Sequence, residues 1–275
     1  MPVGKKRSSA PAPPPPSAAP AKKNVVAAVR GGGRTSGKTS AASWEFLRSI
    51  LGAILIFLVV RTLLVEAYRI PSSSMVPTLL VGDWLFVNKL VYGPHIPFTD
   101  VNLPGYSEPE RGEVAVFVSP PQRDQPEDPT PTLVKRIAGA PGDTLYMRAG
   151  QLFVNGVAQS LVPGADRNPH ADGNFSSPLF VWQQRYTLRD SRFGPAPARP
   201  TLDNWGPLVI PADHYFMLGD NRYQSKDSRY WGLVPRDNFR GRPLFVYYSY
   251  DAEGSDSPLP FLTDIRWRRI GDRIR

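Results

Sequence analysis

The strongest hydrophobic signal lies near the start of the chain. Residues 46–65 are almost entirely apolar, broken by two charges, Arg48 and Arg61. Twenty residues at 1.5 Å each make a helix of about 30 Å, the thickness of a bilayer core. Arg48 sits at one end, and Arg61 is about one turn from the other, so its long stem can carry the guanidinium to the interface. The pattern predicts a transmembrane helix over residues 44–66. Two other readings fit the same stretch. Its uncharged centre, residues 49–60, has the length of the apolar region of a cleaved signal peptide, and Val65-Glu-Ala67 offers a small-residue cleavage pattern. A buried core helix is the third.

Beyond residue 67 the period changes from helical to extended. Trp84-Leu-Phe-Val-Asn-Lys-Leu-Val91 and Glu113-Val-Ala-Val-Phe-Val118 are short β-branched and aromatic runs bounded by Gly, Pro and Asp. Tyr215–Leu218 and Pro243–Tyr248 read the same way, and Leu152-Phe-Val-Asn-Gly156 places a hairpin turn at Asn155-Gly156. The expected fold is mainly β: an antiparallel, barrel-like domain over residues 67–275 with few helices, preceded by one transmembrane helix. Residues about 161–206 are irregular and rich in Pro, Asn and Arg, and read as a lobe inserted into that domain. No internal repeat is visible.

Composition changes this picture in three places. Thirty-one prolines in 275 residues favour loops over a helical bundle. With no cysteine, disulfides, thiolate metal sites and thiol nucleophiles are excluded. The net charge of +9 would suggest nucleic acid, but eight cations and no acid fall within residues 1–43, leaving about +1 for everything after. That tail, with Pro13–Pro16 and Gly31–Gly33, is too poor in apolar surface to fold and reads as disordered; a nucleic-acid-binding arm is the alternative. Basic residues before the span place the amino terminus in the cytoplasm and the β-domain on the outer side.

The candidate chemistry sits in three segments: Ile70-Pro-Ser-Ser-Ser-Met-Val-Pro-Thr-Leu79; Leu133-Val-Lys-Arg-Ile-Ala-Gly-Ala-Pro-Gly-Asp143; and Leu218-Gly-Asp-Asn-Arg-Tyr-Gln-Ser-Lys-Asp-Ser-Arg-Tyr-Trp-Gly232. Taken singly, each has an ordinary explanation. A serine cluster between prolines is a turn, Lys135 is an exposed strand residue, and the third segment is a polar loop. No pair of His95, His170 and His214 has metal-ligand spacing, and all three read as surface or structural residues. No cofactor is expected.

In this order the three segments resemble the bacterial type I signal peptidases, serine proteases with a Ser/Lys dyad, from the span to Tyr248 apart from the insert. The closing Ile265-Arg-Trp-Arg-Arg-Ile-Gly271 is also similar to that family's end. The resemblance implies Ser74 as nucleophile and Lys135 as general base. It implies an oxyanion hole from the Ser72 hydroxyl and the Ser74 amide, and Ser225 orienting the lysine amine. Asp220, Asn221, Asp227 and Arg229 are implied as structural support. Ile70, Pro71, Met75, Leu79 and Val134 are the expected lining of pockets for small residues. The implied partners are exported preproteins and the lipid bilayer, with no nucleic acid; Trp84, Phe86 and the basic carboxyl-terminal residues Arg266, Arg268, Arg269, Arg273 and Arg275 are candidates for bilayer contact. The chain departs from the family at Tyr223-Gln224, where Asp-Asn is frequent, and at Ser73, where Gly is common. To act as a base near neutral pH, Lys135 has to lose about 3 units from a reference of about 10.4, roughly 4 kcal/mol of differential solvation, which apolar surroundings can supply. The competing readings are a maturation peptidase devoted to one substrate, a self-cleaving repressor, which lacks a visible DNA-binding domain, and a non-catalytic membrane-anchored β-domain.

Overall fold

A computed structural model describes residues 36–96, 99, 101–160 and 173–275. The proposed tail lies mostly outside them, as do residues 161–172 of the insert, with His170. The chain divides into two units, residues 1–50 and 51–275. Helix α1 runs from Ser36 to Val59 and passes into a wider π turn, Val60–Leu64. Residues 43–64 are long and apolar enough to cross a membrane, and none of that stretch is buried in protein. The helix starts earlier than its apolar pattern, at Ser36. It stops short of residue 66, because Val65 and Glu66 have already entered the first strand.

The strands are β1 (Val65–Arg69), β2 (Asp83–Asn88), β3 (Val114–Val118), β4 (Thr132–Gly139), β5 (Thr144–Arg148), β6 (Gln151–Val154), β7 (Val157–Gln159), β8 (Trp205–Val209), β9 (His214–Leu218), β10 (Val234–Pro235) and β11 (Phe239–Ser249). Every pairing is antiparallel. Seven strands form one curled half-barrel sheet in the order β1-β2-β11-β3-β4-β9-β10, open between its edge strands β1 and β10. Four more form a second sheet, β7-β6-β5-β8.

Sequence explains the main features. In β2 burial alternates strictly: Asp83, Leu85 and Val87 face in, while Trp84, Phe86 and Asn88 are half-buried, the period-two pattern of a strand with one covered face. Strand β11 reaches both β2 and β3 because bulges near Pro243 and Val246 bend it, and a bulge is where a strand tolerates proline. Asn155 and Gly156 both take positive φ, 52° and 85°, the backbone required by a two-residue hairpin turn between β6 and β7.

The insert is less irregular than its composition predicts. Trp205 and Gly206 belong to β8, and Trp205 is fully buried, stacked on Phe216 of β9 with ring centroids 5.0 Å apart. Among the insert's described residues, the 3-10 helix Pro178–Tyr186 sinks Phe180 into the interior and packs Trp182 and Tyr186 on the same cluster.

The basic carboxyl-terminal residues divide into two groups. Arg269 reaches inward to the buried Asp83 carboxylate (2.6 Å), which also accepts from Ser249 Oγ at 2.7 Å. Arg266 is likewise engaged, by Val81 O and Asp251. Arg268, Arg273 and Arg275 stay exposed, as do the rings of Phe261 and Trp267. Trp84, Phe86, Phe245 and Tyr247 form one aromatic group on β2 and β11.

Candidate active site

Between β1 and β2 the chain makes a single 3-10 turn, Ser73–Met75, entered from extended Ser72 and held by Val76 N donating to Ser73 O and Leu79 N to Met75 O. The turn buries Met75 completely and leaves Ser74 8% exposed. It lies on the middle of β4, where Lys135 pairs with Ala115 of β3. Lys135 Nζ and Ser74 Oγ are 2.6 Å apart. These two residues, 61 positions apart in sequence, thus share a direct hydrogen bond in a nearly dry interior.

Lys135 is 4% exposed, contrary to the exposure expected from the strand pattern alone. The local pattern misleads because the serine turn covers this face of β4. Burial brings the Lys135 amine down from about 10.5 to about 8; the carboxylates of Asp227 and Asp220 pull the other way but do not cancel it. The buried amine is therefore easier to deprotonate than an exposed lysine.

Arg136 projects to the opposite face of β4 and is also buried. Its Nε and Nη2 hold both oxygens of Asp220, at 2.8 and 2.7 Å, in a bidentate pair. Thr78 Oγ1 donates to the same carboxylate at 2.5 Å, so the pair ties β4, the serine turn and the segment after β9 together. Asn221 N then donates to Ser74 O (3.1 Å) and Asn221 Nδ2 to Ser73 O (3.3 Å). Sequence reasoning assigned no role to Arg136 or Thr78. The alternation of β4 carried the signal, since an arginine next to an inward lysine faces another interior and has to find an acid there.

Asp227 caps the short helix α2 (Ser228–Trp231) and accepts from Arg229 Nε at 2.8 Å, with both side chains essentially inaccessible. Its second oxygen accepts from Gly219 N (3.1 Å). Ser225 lies buried inside this brace, and among the described residues its hydroxyl has no hydrogen-bond partner; it makes no hydrogen bond to Lys135, contrary to the orienting role the resemblance implies. Ser72 Oγ lies 3.4 Å from Ser74 Oγ. Ile70, Met75 and Leu79 are buried in one cluster with Leu85, with Val134 packed on it, whereas Pro71 is exposed. His95 and His214 take local partners, Asn102 and Ala212 O, away from the serine turn.

The two departures from the family pattern turn out to touch each other. Ser73 Oγ donates to Gln224 Oε1 (3.3 Å), which also accepts from Asn221 Nδ2, while Tyr223 OH donates to Asp203 in the insert at 2.9 Å.

Gly219 is where these parts converge. A Cβ there would lie 2.2 Å from Ser225 Oγ and 2.6 Å from Ser74 O, a distance no real Cβ keeps. Gly219→Ala is expected to displace the Ser74 carbonyl and cut activity about 100-fold or more while the chain still folds, because a misplacement near 1 Å has that effect on chemistry. Assaying the purified variant beside its circular dichroism checks this; unaltered activity would refute the contact.

The signal peptidase family, peptidase S26, matches residues 43–248. Signal peptidase I of Pseudomonas aeruginosa is 36% identical over 228 residues, covering 78% of this chain and 76% of that one. Signal peptidase I of Pseudomonas fluorescens is 37% identical over 220 residues, covering 75% and 72%. A crystal structure of a signal peptidase I from Enterococcus faecalis overlaps 50% of this chain and 97% of its own, at 27% identity and a TM-score of 0.30. The chain belongs to the signal peptidase family, peptidase S26. It is a peptidase of the signal peptidase I type, a hydrolase of signal-peptide processing.

Proposed function

We propose that the protein is a membrane-anchored endopeptidase that removes amino-terminal signal peptides from exported preproteins after small residues of the Ala-x-Ala type. The observation that carries this reading is the 2.6 Å contact between Ser74 Oγ and a buried, easily deprotonated Lys135. Neutral Lys135 takes the Ser74 proton as Oγ attacks the scissile carbonyl. The Ser74 amide and the Ser72 hydroxyl receive the developing oxyanion. The lysinium then protonates the leaving amine, and water, activated by the regenerated amine, hydrolyses the acyl-enzyme. Ser225 is buried beside Gly219 and makes no hydrogen bond to the amine, so the orienting role that the resemblance implies for it is not part of this reading. The apolar cluster of Ile70, Met75 and Leu79 under Val134 sets the size limit at the residues preceding the cut, with Pro71 at its edge.

The remaining assignments follow from charge and exposed apolar surface. Residues 1–43 form a cytoplasmic tail, residues 44–64 anchor the chain in the bacterial inner membrane, and residues 65–275 act on its outer side. The aromatic group around Trp84 and Phe86 and the exposed Phe261 and Trp267 suit contact with the bilayer interface.

The test is cleavage of a preprotein bearing one Ala-x-Ala site by the detergent-solubilised full chain, beside Ser74→Ala. The native chain is expected to cut once, after the second alanine, and the variant to lose essentially all activity while remaining folded. Cleavage by Ser74→Ala refutes the nucleophile. Cleavage of a single unusual substrate, with ordinary preproteins left intact, favours a dedicated maturation peptidase instead.

A further inference from the structure

The insert grips the segment after β9 at two points. Trp182 Nε1, on the insert's 3-10 helix, donates to Arg229 O at 3.1 Å, and Phe180 meets the ring of Tyr230 edge-on with centroids 4.9 Å apart. Earlier in the segment, Tyr223 OH donates to Asp203 Oδ1 at 2.9 Å. The first grip acts on the Asp227 brace. The second acts beside the residues that hold the nucleophile.

Asp203 is itself a fixed point. Its N donates to Gly173 O at 3.0 Å, and its O accepts at 3.2 Å from Gly150 N, in the turn between β5 and β6. Its carboxylate occupies space that two glycines leave open. A Cβ on Gly173 would lie 1.7 Å from Asp203 Oδ2, and one on Gly150 would lie 3.4 Å from the Tyr223 hydroxyl. The half-buried phenol of Tyr223 therefore ends where the insert meets the second sheet, on an acceptor that both of them place.

On its other side Tyr223 belongs to the turn 221–224, closed by Gln224 N donating to Asn221 O at 3.1 Å. That turn carries the contacts to the serines. Asn221 N and Nδ2 donate to Ser74 O and Ser73 O, and Gln224 Oε1 accepts from Ser73 Oγ. Buried ion pairs fix the residues on either side, Asp220 on Arg136 and Asp227 on Arg229. Between those two pairs, Tyr223 ties the turn to the insert. A shift of Tyr223 passes to Asn221 and Gln224, and from them to the backbone on both sides of the Ser74 side chain.

We propose that Asp203 and Tyr223 are positioning residues: through their bond the insert holds the turn 221–224, and through that turn the Ser74 hydroxyl, in place against Lys135. The inference rests on the Ser/Lys reading above and gives the insert a part in the reaction. The pair acts through Asn221 and Gln224, so its loss falls on kcat and spares KM.

Steady-state cleavage of the Ala-x-Ala preprotein by the full chain in detergent tests it. Tyr223→Phe removes the hydroxyl alone, and Asp203→Leu removes the acceptor. Each is expected to lower kcat about tenfold with KM within about twofold of native, short of the roughly hundredfold loss that a 1 Å misplacement causes. The double variant is expected to be no slower than either single one, because the two residues make one contact. Asp203→Asn keeps an acceptor oxygen in place and is expected to retain at least about half of the native kcat. Where Asp203→Leu fails to fold, Tyr223→Phe and Asp203→Asn decide the matter. Native kcat in Tyr223→Phe overturns the proposal, even beside a lowered melting temperature, because the bond then serves stability alone. Losses that multiply in the double variant, or a kcat in Asp203→Asn as low as that of Tyr223→Phe, overturn it too, and all three results leave the peptidase reading intact. A native chain that does not cut the preprotein overturns both.

Discussion

Lys135→Met is expected to give a protein that is folded, at least as stable as the native chain at pH 7, and inactive. Methionine keeps the length and apolar stem of lysine but has no basic nitrogen, so Ser74 loses its proton acceptor and kcat/KM falls about 10⁴-fold or more. Lys135→Arg is expected to be equally dead, because a guanidinium holds its proton throughout the working range. The stability half of the prediction follows from burial. Lowering the amine from about 10.5 to about 8 means the folded state carries a penalty of roughly 3 kcal/mol whenever Lys135 is protonated. Below about pH 8 both folded and unfolded chains bind the proton, and the penalty is fully present. Between about 8 and 10.5 the unfolded chain binds more protons, so stability rises with pH across that window. Methionine lacks the penalty, so its advantage over the native chain shrinks across the same window. The native chain's kcat/KM is expected to rise with pH to a plateau above about 8, following the neutral amine. Thermal unfolding and initial rates at a series of pH values check both halves; an active Lys135→Met, or a melting temperature far below the native one at pH 7, contradicts the assignment.

That trade of stability for reactivity explains which parts of the molecule were legible in sequence. The strands at Trp84, Val114, Tyr215 and Phe245 announced themselves, because each is a local run whose period matches its environment. The hairpin at Asn155-Gly156 did so because only a few residues accept its backbone. Lys135 gave no local sign of burial. Its surroundings are built from the serine turn 61 residues earlier and the Asp220–Asp227 segment about 90 residues later, and no local window contains them. Only the ordered motifs, taken together, brought those segments to one place. The insert was misjudged for the opposite reason. Its many prolines read as irregular chain, yet β8 and the 3-10 helix before it bury Trp205 and Phe180, aromatic residues that offset a poor period with large buried area. Arg269 shows the limit of charge counting: it belongs to a basic cluster in sequence, and in the fold it neutralises Asp83.

Asp227→Ala is expected to be the most destabilising single change in the brace. Asp227 and Arg229 are both essentially inaccessible, and the carboxylate also receives Gly219 N–H. Removing it strands a buried guanidinium and an unpaired backbone donor, which together cost about 3–5 kcal/mol, or roughly 6–20 °C of melting temperature for a domain of this size. Coupling Asp227→Leu to Arg229→Met is expected to recover much of that loss, because the stranded charge disappears with its partner and only the Gly219 donor stays unpaired. The same carboxylate exerts the larger of the two upward pulls on the Lys135 amine. Its loss, with Arg229 left unneutralised, pushes the amine further below about 8. In whatever fraction of Asp227→Ala remains folded, the rise of kcat/KM with pH is therefore expected to begin earlier than in the native chain. A brace that only held the loop in place would lower stability and rate without moving that midpoint. Denaturant unfolding together with a pH–rate profile separates the two. A downward shift shows that the pair helps set how readily the lysine gives up its proton, and an unmoved midpoint confines Asp227 to holding the fold.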